Sequence, residues 1–454
     1  MVDIDKRAND SDADLPAGFK MTELGPLPEE WEVVRLGEIV VFERGVSWSK
    51  SDETTSGIGV LSIPNIRENG HVELIPKVRI LKNIPPKKWI TPGDVLLVGS
   101  SGSIQNVGRV GVVTKNSAEP LIHASFTVRA RVSNSRMDQI FLPFLFQSSW
   151  VKFSTFSKRA ADGKYNLQVQ QLRDHLIPLP PLPEQRAIAH VLRTVQRAKE
   201  ATERVIQATR ELKKSLMRYL FTYGPVPIEE ANRVPLKETE IGLVPEHWEV
   251  VKLGEVADIK GGKRLPKGHK LSDRPTPYPY IRVVDFKDGS VDKTNLKFLT
   301  PQDYENIKQY TISSRDVYIS IAGTIGLVGI VPPELDGANL TENAAKIVLR
   351  NQAKVDQHFL VYFLASEIGQ EQILLRTTKT SQPKLALARI RQIPIPYPSA
   401  GEQQEIARIL KVVDKKLKAE EARKQVLEEL FKTLLHNLMT GKIRVKDLNL
   451  YNLV

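Results

Sequence analysis

The sequence predicts an α+β protein made of two similar globular domains separated by two long helices that pair as an antiparallel coiled coil. Three observations predict this fold. A nineteen-residue segment occurs twice, each copy is followed by a region of short β-rich runs, and each such region leads into a long stretch with helical spacing. At 454 residues the chain is also too long for one ordinary core, which favours several domains.

The repeat is visible in two motifs. TELGPLPEEWEVVRLGEIV at 22–40 returns as TEIGLVPEHWEVVKLGEVA at 239–257, 217 positions later and identical at twelve of nineteen positions. The proline-rich IPLPPLPEQRAIAHVL at 177–192 returns as IPIPYPSAGEQQEIARIL at 393–410. A period of this length equals a domain plus a connector and is too long for a solenoid repeat. The chain is therefore predicted to contain two copies of one unit with a pseudo-twofold internal repeat.

Each unit begins with a globular part and ends with a helical part. Short runs such as DVLLVGS and VYISIAG are typical of strands, and the Gly-Pro pair in YGPVPIEEANRVPLKE ends the first helical stretch. The predicted segments are a mobile tail (1–21), a first globular domain (22–177), a first helical spacer (178–222), a linker (223–238), a second globular domain (239–392), a second helical spacer (393–446) and a C-terminal tail (447–454).

The two spacers carry heptad patterns. Each contains 39 residues without glycine or proline, enough for a rod of about 58 Å at ~1.5 Å per residue. The second seam is predicted to include Ile406, Val413, Leu427 and Leu434. The first is predicted to run through Ile188, Val191, Val195, Ala198, Thr202, Val205, Thr209, Leu212, Leu216 and Tyr219. A helix lying on its own domain is the alternative, but the 3.5-residue period and the length favour a coiled coil.

Composition limits the classes of partner. The net charge of +12 suggests a polyanionic partner, although a merely basic surface is the alternative. The absence of cysteine excludes disulfides and thiolate zinc sites. There is no apolar run of membrane-spanning length, and the acidic, polar N-terminus does not resemble a secretory signal. We expect a cytoplasmic protein.

The sequence lacks the common catalytic motifs of DNA-modifying enzymes. Neither an N-P-P-[YF]-like loop of amino-methyltransferases nor an F-x-G-x-G cofactor loop occurs, and GSSGSIQNVG at 99–108 lacks the Lys-Ser/Thr of a phosphate-binding loop. Glu211 and Lys213 resemble a nuclease E-x-K pair, but a salt-bridged helix face explains them better. The matched Trp31 and Trp248 indicate shared packing rather than base stacking. We therefore predict a non-catalytic chain that holds no cofactor or metal.

The paired openings LPEEWEVVRLGEI and VPEHWEVVKLGEV, the two proline runs and LMTGKIRV at 438–445 together resemble the specificity subunit of type I DNA restriction–modification enzymes, over nearly all of 22–446. The resemblance implies two target-recognition domains that each read half of an asymmetric bipartite site in double-stranded DNA. It also implies helices that dock two methyltransferase subunits, which would bind S-adenosylmethionine, and leaves open a restriction/motor subunit. The alternatives are a bivalent DNA-binding regulator without methyltransferase partners and a coiled-coil scaffold.

Basic stretches supply the candidate DNA contacts. The segment 260–274 carries six Lys/Arg and one Asp, and 373–391 carries five basic residues and no acid. Such groups suit phosphates, and their polar neighbours suit base edges, although any single lysine is more simply a solvated charge. The candidates are Lys158, Arg159, Lys164, Tyr165, Asn166 and Gln168 in the first domain, and Lys263, Arg264, Lys267, His269, Arg274, Arg376, Lys379, Thr380, Gln382 and Lys384 in the second.

Overall fold

A computed structural model describes residue 15, residues 17–351 and residues 354–448. Most of the predicted N-terminal tail (1–14 and 16) and of the C-terminal tail (449–454) lies outside these described residues. The chain divides into two compact units. The first comprises the residues up to Ala201 and those from Arg423 onward, and the second comprises Thr202–Ala422. Each unit thus takes one globular domain and half of each long helix, whereas the sequence-based division kept each helix whole as a spacer.

The strands are short in both units, as the β-rich runs predict. In the first unit they are β1 (Phe19–Thr22), β2 (Gly25–Pro28), β3 (Glu32–Arg35), β4 (Val40–Arg44), β5 (Glu53–Thr54), β6 (Ile58–Leu61), β7 (Val78–Ile80), β8 (Val95–Val98), β9 (Ser100–Ser101), β10 (Val110–Val112), β11 (Leu121–His123), β12 (Thr127–Val132), β13 (Ser157–Arg159), β14 (Tyr165–Leu167) and β15 (Leu176–Leu179). In the second unit they are β16 (Leu236–Thr239), β17 (Gly242–Pro245), β18 (Glu249–Lys252), β19 (Ala257–Gly261), β20 (Pro279–Ile281), β21 (Phe286–Lys287), β22 (Ser290–Val291), β23 (Lys297–Phe298), β24 (Thr311–Ile312), β25 (Val317–Ser320), β26 (Val328–Ile330), β27 (Ala338–Leu340), β28 (Ala344–Leu349) and β29 (Pro394–Tyr397).

The helices fall into short segments of the globular domains and two long ones. They are α1 (Leu36–Ile39), α2 (Leu142–Gln147), α3 (Val169–Asp174), α4 (Leu182–Tyr223), α5 (Leu253–Val256), α6 (Pro301–Ile307), α7 (Gln357–Ala365), α8 (Glu367–Arg376), α9 (Leu387–Ile390) and α10 (Ala400–Met439). The long helix α4 includes the first residue of the predicted linker, and β16 takes up the last three residues of that linker.

The two units repeat one sheet topology. In the first, a four-stranded antiparallel sheet has the order β4-β12-β8-β10, and in the second the order β19-β28-β25-β26 repeats it strand for strand. A second sheet in each unit contains one parallel pair, β6 with β11 and β20 with β27. The apolar faces of these strands form the cores. Trp31 and Trp248 are fully buried in them, which confirms their role in packing.

The long helices run antiparallel within each unit. In the first unit, the Lys199 ammonium lies 5.8 Å from the ring centroid of Phe431. In the second, Arg210 pairs with Glu421 at 2.7 Å, and Lys213 pairs with Asp414 at 2.6 Å. Residue numbers fall along α10 as they rise along α4, so the predicted antiparallel pairing is confirmed.

Burial follows the predicted seam in α10 but corrects the one in α4. Ile406 is buried, and Val413, Leu427 and Leu434 are half-buried. Among the first-helix candidates, Ile188 is buried, and Val195 and Leu216 are half-buried. Leu212, in contrast, is 57% exposed, so its predicted place in the seam is wrong.

The alternate seam positions of α4 lie one residue later than predicted. Ile206 is 5% exposed whereas Val205 is 39% exposed, and Lys213 takes the inward position next to Leu212. The predicted frame contains Val205 and the observed frame contains Ile206. Both residues are apolar, so apolar spacing does not choose between the frames at this position. At the next alternate position the apolar pattern favours Leu212, whereas Lys213 is the inward residue and its charge is compensated by Asp414 of α10.

Candidate nucleic-acid interface

The two repeated motifs meet at the start of each long helix. Strand β3 of the first motif pairs antiparallel with the proline-rich β15, and β18 pairs with β29 in the same way. The Trp31 indole N–H donates to the Glu184 carboxylate at 2.8 Å, and that of Trp248 donates to Glu402 at 2.9 Å. The repeated sequence is therefore a joint that fixes each globular domain to the helix that follows it.

A buried glutamine completes each joint. The Gln185 amide donates to the carbonyl oxygens of Pro180 and Arg136 at 2.7 and 2.9 Å and accepts the Asp138 backbone N–H at 2.8 Å. Gln403 makes the same three kinds of contact in the second unit. No role was predicted for these glutamines from the sequence, although the Glu-Gln pair that recurs after both proline runs was the available signal.

In each unit a three-residue turn joins the second sheet to the first. We call 124–126, between β11 and β12, and 341–343, between β27 and β28, the crossover turns. Their backbone bonds match: the Ala124 N–H donates to the Leu61 carbonyl at 2.8 Å, and the Thr341 N–H donates to that of Ile281 at 3.0 Å. A glycine supports each turn, because a Cβ on Gly45 would lie 2.2 Å from the Ala124 carbonyl oxygen. Gly262 is equivalent in the second unit, at 2.1 Å from the Thr341 oxygen.

In the first unit, five of the six candidate DNA-contacting residues lie on one hairpin beside the crossover turn. Lys158 and Arg159 are exposed on β13, Tyr165 and Asn166 lie on β14, and Lys164 precedes β14. Strand β14 pairs with β9, and the Lys164 ammonium lies 5.9 Å from the ring centroid of Phe126 in the turn. Gln168 lies just after the hairpin, with its amide bonded to the Asn166 carbonyl at 3.1 Å.

In the second unit, two candidate segments converge on the crossover turn. Arg264, whose side chain is 76% exposed, donates to Glu342 of the turn at 2.6 Å. Lys384 forms a β-bridge with Ala322, whose N–H donates to the Asn343 carbonyl at 3.3 Å. The remaining candidates in these segments are exposed: Lys263, Lys267, Arg274, Lys379, Thr380 and Gln382.

Two further candidates, Arg376 and His269, are bonded to buried side chains of the fold. The Arg376 guanidinium donates to the Gln372 side chain at 2.7 Å and to the Gln392 carbonyl at 2.9 Å, and it is only 20% exposed. His269 is hydrogen-bonded to the buried carboxylate of Asp303. Arg376 therefore holds the end of α8, and His269, which remains an exposed residue, anchors its loop through Nδ1.

The carboxylate in the second crossover turn is held in its charged form. Burial tends to raise the pKa of Glu342, but hydrogen bonds from Arg264, the backbone and Thr341 hold that pKa below its usual range. Burial raises the pKa of the neighbouring Tyr280 to about 12, so that phenol stays neutral. The Arg264 and Glu342 charges offset one another, and Lys263 and Lys267 supply the excess positive charge of this surface.

Metal-binding clusters and membrane spans are absent from the described residues. Across these parts of the chain, no three His, Asp or Glu side chains gather in a way that could hold a metal ion. None of the helices within the described ranges combines the length and apolar character needed to cross a membrane.

A family model described as the type I restriction modification DNA specificity domain matches residues 28–210 and 245–429. The chain belongs to this family. The two matched segments coincide with the two sequence repeats, so one chain carries two specificity domains. It is the DNA sequence-recognition subunit of a type I restriction–modification system and is not the catalytic component, because catalysis resides in partner modification and restriction subunits.

Known specificity subunits resemble the chain over nearly its whole length. The MjaVIII specificity subunit of Methanocaldococcus jannaschii is 29% identical over 433 residues, covering 93% of this chain and 95% of that protein. The putative MjaX specificity subunit of the same organism is 28% identical over 447 residues, covering 94% and 97%. The crystal structure of the type I S subunit from M. genitalium has the same fold, with a TM-score of 0.56 at 17% identity, covering 90% and 96%.

Proposed function

We propose that each unit reads one half of an asymmetric bipartite sequence in double-stranded DNA, with the surface around its crossover turn facing the bases. The observation that carries this proposal is that the two units share one backbone frame but present different side chains there. The first surrounds Phe126 with the basic hairpin, whereas the second surrounds Asn343 with Arg264, Glu342 and Lys384. Two frames with different side chains suit two different half-sites.

The partners we propose are two methyltransferase subunits docked on the long helices, with a restriction/motor subunit as a further component. In support, α4 and α10 carry exposed leucines at matching repeat positions: Leu212 is 57% exposed in the second unit, and Leu430 is 42% exposed in the first. Because the two leucines occupy equivalent positions of the repeat, they offer two similar points of contact, as two copies of one partner require. In this proposal S-adenosylmethionine binds to the methyltransferase subunits, this chain holds no cofactor, and the complex acts in the cytoplasm.

The experiment is to sequence modified bases in the native host with and without this gene. The expected result is a two-part methylated motif, with an unspecified gap, that disappears when the gene is deleted. Purified alone, the chain is expected neither to transfer methyl groups from S-adenosylmethionine nor to cleave DNA. An unchanged modification pattern after deletion, together with recovery of the chain on DNA without methyltransferase subunits, would instead indicate a bivalent DNA-binding regulator.

A further inference from the structure

Phe126 and Asn343 occupy the same position in the two units. The Phe126 carbonyl accepts the N–H groups of Gly99 and Ser100 at 2.8 and 3.0 Å. The Asn343 carbonyl accepts those of Ile321 and Ala322 at 2.8 and 3.3 Å. Each residue is therefore the last of its crossover turn and is fixed by its backbone to the loop that follows the central strand β8 or β25.

The fold uses the backbones of these two residues but not their side chains. Phe126 is 49% exposed and lies outside the apolar cores, with the Lys164 ammonium as its ring contact. In the described part of the chain, the Asn343 side-chain amide makes no hydrogen bond, although its main-chain groups are bonded. An exposed phenylalanine and an unengaged amide, each on a rigid turn, are available for a ligand.

The surroundings of both residues are suited to DNA. Asn343 lines an open cleft of about 670 Å³ together with Arg264 and Lys267. Phe126 lies against the hairpin that carries Lys158, Arg159 and Lys164. Cations of this kind hold phosphates and fix the register of a protein on DNA, while neighbouring side chains read the base edges. Each turn thus has cations that can hold DNA phosphates around one side chain that is available to contact a base.

We infer that Phe126 and Asn343 are the central specificity-determining residues of the two units, an inference that rests on the proposed function. The two side chains have different chemistry. An asparagine amide matches the acceptor and donor on the major-groove edge of adenine, whereas a phenylalanine ring makes apolar contact with a thymine methyl group. Asn343 therefore reads an adenine in the half-site of the second unit, and Phe126 reads a thymine in that of the first.

The test compares Phe126→Ala and Asn343→Ala in the full complex in its host, by sequencing modified bases. Each variant is expected to lose base discrimination at a position of one half-site, by roughly 5- to 150-fold for a well-placed base contact, and the two variants should affect opposite halves. Matched controls are Val41→Ala, an exposed apolar residue of β4, and Asn295→Ala, whose side-chain amide is likewise exposed and without a hydrogen bond in the described part of the chain. Both controls should keep the wild-type motif.

The outcomes separate this inference from the proposed function. Absence of a two-part motif in the wild type would overturn the proposed function. If both variants keep the wild-type motif unchanged, or if both broaden the same half of it, the inference is overturned but the proposed function is not. If a variant modifies no site in the host, its purified complex is offered a library of randomised duplexes. Relaxed preference at one half-site then supports the inference, and uniformly weaker binding with all preferences intact overturns it.

Discussion

At the scale of single residues, a buried histidine supports the crossover turn of the first unit. His123 is 3% exposed, and its Nδ1 lies 2.9 Å from the Thr127 hydroxyl. That hydroxyl donates its one hydrogen to the Ala124 carbonyl at 2.8 Å, so Nδ1 is the donor toward Thr127. Burial, reinforced by the charge of Arg129, lowers the pKa of His123 to about 4. The imidazole is neutral at physiological pH, and its protonation opposes folding.

This pKa shift predicts a pH dependence of stability. An unfolded histidine titrates near 6.5, so between about pH 6.5 and 4 the unfolded state binds the extra proton and the free energy of unfolding falls as pH falls. Above pH 6.5 the histidine is neutral in both states and costs no stability, and by pH 4 its protonation in the unfolded state has lowered the free energy of unfolding by about 3 kcal/mol. The second unit has Leu340 at this position, so His123→Leu is the natural comparison.

The measurement is urea unfolding of the two proteins from pH 7 to pH 4, followed by tryptophan fluorescence. Four of the five tryptophans, Trp31, Trp48, Trp89 and Trp150, belong to the first unit, so the signal mainly reports that unit. Carboxylates titrate in both proteins, and only the difference between them reports His123. Equal slopes against pH would show that His123 is not protonated on unfolding in this range.

At the scale of elements, the corrected heptad frame of α4 makes a prediction about two adjacent residues. Ile206→Ala is expected to lower the free energy of unfolding by about 2–4 kcal/mol, because it leaves a cavity in a packed seam. Val205→Ala should change it by about 0.5 kcal/mol or less, as is usual for surface positions. Both residues lie in the second unit, so urea denaturation compares them directly. If Val205→Ala lowered the free energy of unfolding more than Ile206→Ala, the frame predicted from apolar spacing would be the correct one.

The basic segment 260–274 of the second unit predicts how DNA binding depends on salt. Replacing Lys263, Arg264 and Lys267 together by glutamine should make the slope of log K against log salt shallower by up to ~0.9 for each phosphate that is no longer neutralised. The control replaces Lys287, Lys293 and Lys308 by glutamine, which removes the same charge from the same unit at residues that do not line the cleft around Asn343; these lysines are paired with carboxylates, as Arg264 is. Binding of the complex to its modified site is measured over a salt series. Equal slopes for the two triple variants would place the DNA elsewhere.

These elements also indicate what the sequence could reveal. The repeated openings, the proline runs and the second seam are local patterns, and each is sufficient to predict its strand, helix or burial. The joints of Gln185 and Gln403, the inward Lys213 and the crossover turns depend on contacts between residues far apart in sequence. Arg376 illustrates the limit most clearly, because its charge suggested a phosphate contact while its guanidinium is bonded to Gln372 and Gln392.

At the scale of the whole molecule, the chain uses one topology twice and links the copies through two continuous helices. Each long helix begins in one compact unit and ends in the other. The proposed function requires both half-sites to be read together, with a fixed gap between them. The length of the helical pair is the feature of the chain that can set this gap, because no other segment is shared by both units in this way within the described residues.

The last prediction concerns this gap. Removing one heptad from each long helix, at facing points within 195–212 and 413–430, shortens the pair by roughly 10 Å at ~1.5 Å per residue. That length corresponds to about three base pairs at ~3.4 Å each. Both helices must be cut, because a single deletion would put the seams out of register. The half-sites should stay the same, since each reading surface is untouched, while the preferred gap contracts by about three base pairs.

The rotation of the DNA helix affects the design of this experiment. Three base pairs also turn the face of the duplex by about 100° at ~10.5 base pairs per turn, so affinity at the best gap is expected to fall. The complex is therefore selected against a library in which both half-sites are fixed and the gap varies. A matched control deletes seven residues from α4 alone, which should abolish binding at every gap. If the doubly shortened protein folds, binds and still prefers the original gap, the helices do not set the spacing. A helical pair that is shorter by two turns would have to change the preferred gap if its length determined that gap.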